Sequence, residues 1–345
     1  MKKRVGLLFG GKSAEHEVSL QSAKNVFEAI DKDKYDVVLI GIDKAGKWHL
    51  LDSSDFLLNA EDPKNISLKT TGEEVAFIPG DPVHQLVKRK GMEPIEKLDC
   101  IFPILHGTLG EDGSIQGLFR VADIPFVGPD VLGSAISMDK DVAKHLLQDA
   151  GLDVARAFTF TRTTKDEIDI AEIESELGLP LFIKPANQGS SVGVSKVESK
   201  EEFTKAVEEA FKYDHKILIE EAIQGREIEC SVLGNEHPKA SIPGEIIATN
   251  DFYSYEAKYI DEHGATLEIP AKLNEAQVEK IQDVAIRAFK ALQCEGMARV
   301  DVFLTENDRV IVNEINTIPG FTKISMYPKL WEESGISYSD LIDRL

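Results

Sequence analysis

At 345 residues the chain is too long for one ordinary core, so two or three domains are expected. Its 60 acidic and 39 basic residues leave a net charge of −21, and no basic run follows Lys2-Lys3-Arg4. That argues against nucleic acid as a partner and leaves open an anionic small substrate held by local cations.

No apolar run approaches membrane-spanning length. The start, Met1 to Arg4, resembles a signal-peptide n-region. The apolar stretch after it, residues 5–9, is too short for an h-region and reads as a first strand. Cys100, Cys230 and Cys294 are odd in number, far apart and without a CxxC pair. Reduced, buried thiols in a cytoplasmic protein are expected.

In chain order, a helix over 19–30 and a strand over 35–42 follow, and 100–105 is a further apolar strand ending at His106-Gly107. Strands alternating with helices suggest a parallel sheet with functional loops at its C-terminal ends. Ile124 to Pro129 is a punctuated boundary, and 138–148 reads as a helix. A short strand at 181–184 leads through a Gly/Ser loop, 186–194, into another strand. A helix over 199–212, a strand over 216–220 and strands near 227–234 and 242–248 come next. Residues 250–265 are polar and aromatic without a clear period, which for a loop of that length points to function. A helix over 274–292 precedes the last strands. The helical pattern still running at Leu345 suggests a short tail beyond it.

Gly6-Leu-Leu-Phe-Gly-Gly-Lys-Ser13 matches the G-x-x-x-x-G-K-[ST] phosphate loop literally. It is rejected, because Gly6 falls inside the strand and Glu15 and Glu17 stand where a triphosphate would approach. Glu15 suits a cation such as a substrate ammonium group.

The richest chemistry lies in 298–304 and 310–316. Both runs alternate, and a tight turn at Asn307-Asp308 would set Asp301 opposite Glu314 and Arg299 opposite Asn316. Two carboxylates and an amide on one face suit Mg²⁺, which takes few protein oxygens and fills its shell with water and phosphates. A solvated hairpin face is the plainer alternative. Lys184 with the Gly189-Ser190-Ser191-Val192-Gly193 loop makes a phosphate cradle, although Gly/Ser loops between strands are common. Glu220, at a strand end with Glu221 beside it, could accept from adenine or ribose; Glu227 follows seven residues later, and either alone reads more readily as a surface acid. His106, in the glycine-rich run to Gly113, either touches ligand or caps the next helix, and spacing does not decide.

Gly10 to Ser19, His106 to Gly113, Lys184-Pro185 with the 189–193 loop, Tyr255-Glu-Ala-Lys-Tyr259, Ala298-Arg-Val-Asp301 and Asn313 to Gly320 occur in an order that closely resembles D-alanine–D-alanine ligases of the ATP-grasp superfamily, the A-type bacterial isozyme most nearly. The resemblance covers essentially the whole chain. It implies a three-domain α/β fold with a Rossmann-like parallel sheet in an N-terminal domain, 1–127, that binds the first D-alanine. A central ATP-grasp domain, 128–220, would carry the phosphate loop. A C-terminal domain, 221–345, would carry the metal site, a lid over 250–265 and the second D-alanine site.

By motif, Lys140 and Lys184 would contact nucleotide phosphates, with Ser190 and Ser191 in the same loop, and Lys258 would reach the γ-phosphate. Glu220, Glu221 and Glu227 would serve adenine and ribose. Asp301, Glu314 and Asn316 would bind two Mg²⁺ ions, with Mn²⁺ able to stand in and a monovalent cation as an optional activator. Glu15 would take the first ammonium, and Ser190 and Tyr259 would link with it to close the lid. His106 is grouped with the substrate contacts. Arg299 and the Gly320 N–H would face the reacting carbonyl, and Ser325 with Met326 would bind the second carboxylate. The implied activity is ADP-forming synthesis of D-alanyl-D-alanine through a D-alanyl phosphate, for peptidoglycan precursors, by a cytoplasmic homodimer with no nucleic-acid or membrane partner. Alternatives are a D-alanyl-D-serine or D-alanyl-D-lactate ligase, or a non-catalytic ATP-grasp module. Tyr259 favours an amine acceptor over a hydroxy acid, and the complete set Arg299, Asp301, Glu314 and Asn316 weighs against a non-catalytic module.

Overall fold

Strand Lys3–Gly10 is buried from Val5 onward rather than alternating. It lies between two parallel neighbours, Tyr35–Ile42 and Cys100–Ile104, with apolar packing on both faces. At its end Gly10 and Gly11 take φ of 93° and 96°, and a Cβ on Gly10 would overlap the Ile42 carbonyl. Only glycine makes that turn without strain. The chain then enters helix His16–Ala29 with Glu15 at its threshold. Gly6 sits within the strand, where a Cβ would lie 2.9 Å from Leu98, so the literal phosphate-loop match is indeed not a loop.

The computed structural model describes residues 2–70, 72–81, 84–248 and 265–345. Its first sheet has six strands, parallel over three and extended beyond Tyr35–Ile42 by antiparallel Trp48–Leu51, Glu73–Phe77 and Leu86–Lys88. The second is a four-stranded antiparallel sheet in the order Ala157–Thr161, Lys216–Glu221, Leu181–Pro185, Ser195–Val197. Leu181, Ile183, Ile217 and Ile219 pack under helix Lys200–Tyr213, while Lys184 and Glu220 belong to the opposite face.

The third sheet has seven strands, with Arg226–Leu233, Met297–Leu304 and Val310–Asn316 adjacent at its centre. Ala298, Val300, Val302 and Leu304 pack against helix Glu275–Ala291. By alternation Arg299, Asp301 and Phe303 face the other way. The two-residue strand Asp153–Val154 also joins this sheet, beside Val310–Asn316, and Ala143 and Leu147 of helix Lys140–Asp149 share its core. The segment after residue 128 therefore leans on the third sheet before the chain enters the second. Cys230 and Cys294 are buried and Cys100 half-buried, all as free thiols; burial pushes the first two up to about 12.

The N-terminal and C-terminal units share one core. Phe321, fully buried, meets Phe102 edge-on at 5.8 Å between ring centres, with Leu20, Tyr327, Trp331 and Leu341 in the same cluster. Its carbonyl accepts from Asn25 at 3.1 Å and Tyr338 at 2.6 Å, and its N–H donates to Ser22 at 3.1 Å. Phe321→Ala should cost about 3–5 kcal/mol through the cavity it leaves. Chemical denaturation followed by tryptophan fluorescence, with Trp331 in the same cluster, measures it.

Candidate active site

The hairpin brings Asp301 opposite Glu314 and Arg299 opposite Asn316, the register expected from the sequence, but for a different reason. Near the turn Leu304 faces Val310, with Thr305 and Arg309 closing a three-residue loop. That phase alone would set Asp301 against Asn313. A bulge between Asp301 and Val302 leaves Asn313 as the extra residue and shifts the register by one.

The row continues onto the next strand, where Glu229 stands opposite Asp301. Three carboxylates thus lie side by side across adjacent strands. Arg299 holds two of them: its Nε and Nη2 donate to the two Asp301 oxygens at 2.7 Å each, and Nε lies 2.9 Å from Glu229. Asn316 donates to Asp301 at 3.0 Å, and Lys140 Nζ lies 3.7 Å from Glu314. Hard oxygen donors in this set fit Mg²⁺ when substrate phosphates complete the shell. Among the described residues no group of three or more His, Cys, Asp or Glu could hold a metal unaided.

Across the cleft, Glu220 is buried with Lys184 Nζ at 2.6 Å and Lys144 Nζ at 3.0 Å. Burial works to raise the Glu220 pKa, but the two lysines prevail and hold it below the usual carboxylate range. Burial lowers that of Lys144. Glu221 takes a forked contact from Arg156, at 2.8 and 2.6 Å. Lys140 donates to the Gln188 carbonyl at 2.7 Å. Ser190 and Ser191 both take left-handed φ, 51° and 61°, conformations that cost energy away from glycine. This strained loop places the Ser190 hydroxyl on the Glu15 carboxylate. Gly189 presses on Glu15 too; a Cβ there would lie 3.0 Å from Oε2.

Two cavities share Gly189, Ser190, Glu227, Phe303, Asn313 and Glu314 in their walls. One, of about 390 Å³, is lined by Lys140, Lys184, Ser191, Glu220 and Glu221. The other, of about 530 Å³, is lined by Glu15, Arg299, Asp301, Asn316, Gly320, Ser325 and Met326. A Cβ on Gly320 would crowd Ser325 Oγ at 2.7 Å. Ser325 Oγ accepts from the Thr322 N–H at 3.0 Å, just before helix Met326–Glu333.

His106 is buried, and both ring nitrogens are engaged within the protein. Nδ1 donates to the Ile318 carbonyl at 2.9 Å, and Nε2 lies 3.1 Å from Ser22 Oγ. Burial pushes its pKa down to about 4. Lys258, Tyr259 and the expected lid lie outside the described residues, apart from residue 265. Sequence reasoning gave no role to Glu111, Lys144, Glu229 or Asn313, all of which touch this region. Glu111 belongs to the same glycine-rich run as His106 and Asn313 opens the run to Gly320, whereas Lys144 and Glu229 gave no such signal.

Facing sheets with lysines on one and a carboxylate row on the other define an ATP-grasp architecture. The comparisons agree: the chain matches the family models for the D-ala D-ala ligase N-terminus over residues 4–129 and C-terminus over 146–345. It is 66% identical over 345 residues to the D-alanine–D-alanine ligase of Oceanobacillus iheyensis, covering all of this chain and 94% of that one. Identity to D-alanine–D-alanine ligase A of Escherichia coli K12 is 60% over 344 residues, with the same coverage. The D-alanine–D-alanine ligase structure from Coxiella burnetii superposes with a TM-score of 0.87 at 40% identity, over 99% of this chain and 92% of that one. The VanG D-Ala:D-Ser ligase from Enterococcus faecalis gives 0.88 at 39%, over 100% and 98%. The chain belongs to the D-alanine–D-alanine ligase family, which implies dependence on ATP. No helix among the described residues is long and apolar enough to cross a membrane.

A neutral buried His106 makes stability depend on pH. Between its ordinary pKa of 6.5 and about 4 the unfolded chain binds the proton and the folded chain does not. Stability therefore falls as pH drops through that window, by at most about 3 kcal/mol. Acid titrations of unfolding should show a shallower slope for His106→Asn than for the unaltered chain.

Proposed function

We propose that this chain joins two D-alanine molecules into D-alanyl-D-alanine with conversion of ATP to ADP and phosphate, by way of a D-alanyl phosphate. The dipeptide would enter peptidoglycan precursors, and the enzyme would work in the cytoplasm as a homodimer. The observation that carries this reading is the pair of cavities joined at Ser190 and Glu314, one rich in lysines and the other walled by Glu15, Arg299 and Ser325.

A carboxylate is a poor acyl donor because its oxygen leaves badly; phosphorylation makes that oxygen part of a good leaving group. Glu15 would pair with the ammonium of the first D-alanine and aim its carboxylate at the shared wall. Lys140 and Lys184 would carry the nucleotide phosphates, and Glu227, with Glu220 and Glu221, would stand at the nucleoside end. Asp301, Glu314 and Asn316 would hold Mg²⁺, which when bound neutralises charge between the two reacting anions. Ser325, with the N–H groups opening the next helix, suits the carboxylate of the second D-alanine. Its amine would attack the acyl carbonyl, and Arg299 with the Gly320 N–H would stabilise the oxyanion, where one donor is worth ~10²–10³ in rate. Tyr259 and Lys258 would belong to the cover that keeps water from the acyl phosphate.

The likeness to a D-Ala:D-Ser ligase keeps D-serine as a second acceptor to test. Phosphate release from Mg-ATP should be measured with D-alanine, L-alanine, D-alanine plus D-serine and D-alanine plus D-lactate, with products weighed by mass spectrometry. D-alanyl-D-alanine from D-alanine alone is expected. A mixed dipeptide as main product would move the assignment to the D-serine class, and no release with any mixture would sink it. Glu314→Gln should lower turnover by about 100-fold or more at fixed Mg²⁺; near-normal turnover would refute the metal role.

A further inference from the structure

Glu111 lines the same cavity as Glu15, Arg299 and Gly320, yet its carboxylate is turned on main chain. Oε1 accepts the Ile318 N–H at 2.9 Å and Oε2 accepts the Gly107 N–H at 2.8 Å. His106 donates to the carbonyl of the same Ile318. Three residues on, the Phe321 N–H is held by Ser22, whose hydroxyl also contacts His106. Gly320 therefore sits between two points pinned by side chains of the N-terminal unit. The far end of the clamp is the wall behind Glu15, since a Cβ on Gly107 would overlap Glu15 Oε2.

We propose that Glu111 is a positioning residue for the condensation step: by gripping the Ile318 and Gly107 N–H groups together, it fixes Gly320 relative to Glu15, and so the carbonyl-facing N–H relative to the bound first amino acid. This rests on the reading of Gly320 as an oxyanion donor. A carboxylate is suited to the task because each oxygen accepts a separate N–H; a carboxamide of the same shape must point its NH₂ at one of them. Retaining an acid here is costly. Burial, and then the charge of Glu15, push its pKa well above the usual carboxylate range. The ammonium of a substrate pairing with Glu15 would relieve that repulsion and favour the ionised, doubly accepting form.

Glu111→Gln keeps the volume and loses one acceptor. Dipeptide and phosphate are measured in one assay, with KM for ATP and melting temperature alongside. Dipeptide kcat should fall about 10–100-fold, KM for ATP should stay within about twofold, and phosphate released per dipeptide should rise, because an acyl phosphate that condenses slowly is hydrolysed instead. Glu111→Asp, with both oxygens on a shorter arm, should lose less. Unchanged kcat and coupling in the Gln variant would overturn the proposal. So would a kcat loss matched by equal losses of ATP affinity and melting temperature, which would make Glu111 a residue of the fold alone. No dipeptide from the unaltered enzyme would sink the functional reading, and this proposal with it.

Discussion

Three carboxylates in register on neighbouring strands, Glu229, Asp301 and Glu314, are the constraint around which the rest of the site is organised. Opposed residues in an antiparallel sheet stand about 5 Å apart. At an effective dielectric near 20, two like charges at that distance repel by about 3 kcal/mol. The fold answers with one guanidinium between two of them and a lysine from across the cleft beside the third. A strand built for stability would carry Thr or Val in that row. On the proposed reading, the acidic row and the bulge that sets its register are where cations and phosphates would meet.

The second organising feature is how the units are joined. The N-terminal and C-terminal units share an apolar core through Phe321, and polar grips on Ile318 and Phe321 reinforce it. The four-stranded unit has its own core and reaches the site through a polar contact, Ser190 to Glu15. Interfaces of that polar kind allow one domain to move against another. Glu15 and Arg299 thus stand on units that share a core, whereas the strand that carries Lys184 belongs to a separate one.

Much of this was legible in the sequence where local pattern decides structure. Alternation placed Arg299 and Asp301 on one face, and the glycine pair after the first strand marked its turn. The register of the hairpin came out right although its turn was misread, because the one-residue bulge at Asn313 compensates for a longer loop. Residues 43–99 gave no clear reading, and the three antiparallel strands that they add to the first sheet are short and only partly buried. The strand Asp153–Val154 is two residues long and exists only because a partner more than 150 residues away offers an edge. Glu111, Lys144 and Glu229 escaped for a related reason. A lone acid or lysine reads as surface until the fold brings its partner, and Ile318 lies 207 residues from Glu111.

The most direct test of the carboxylate row is anomalous diffraction from crystals grown with Mn²⁺ and a non-hydrolysable ATP analogue. Anomalous density is expected within coordination distance of Asp301, Glu314 and Asn316 and of the analogue's phosphates. Nucleotide bound in the cleft with no metal at these three residues would contradict it.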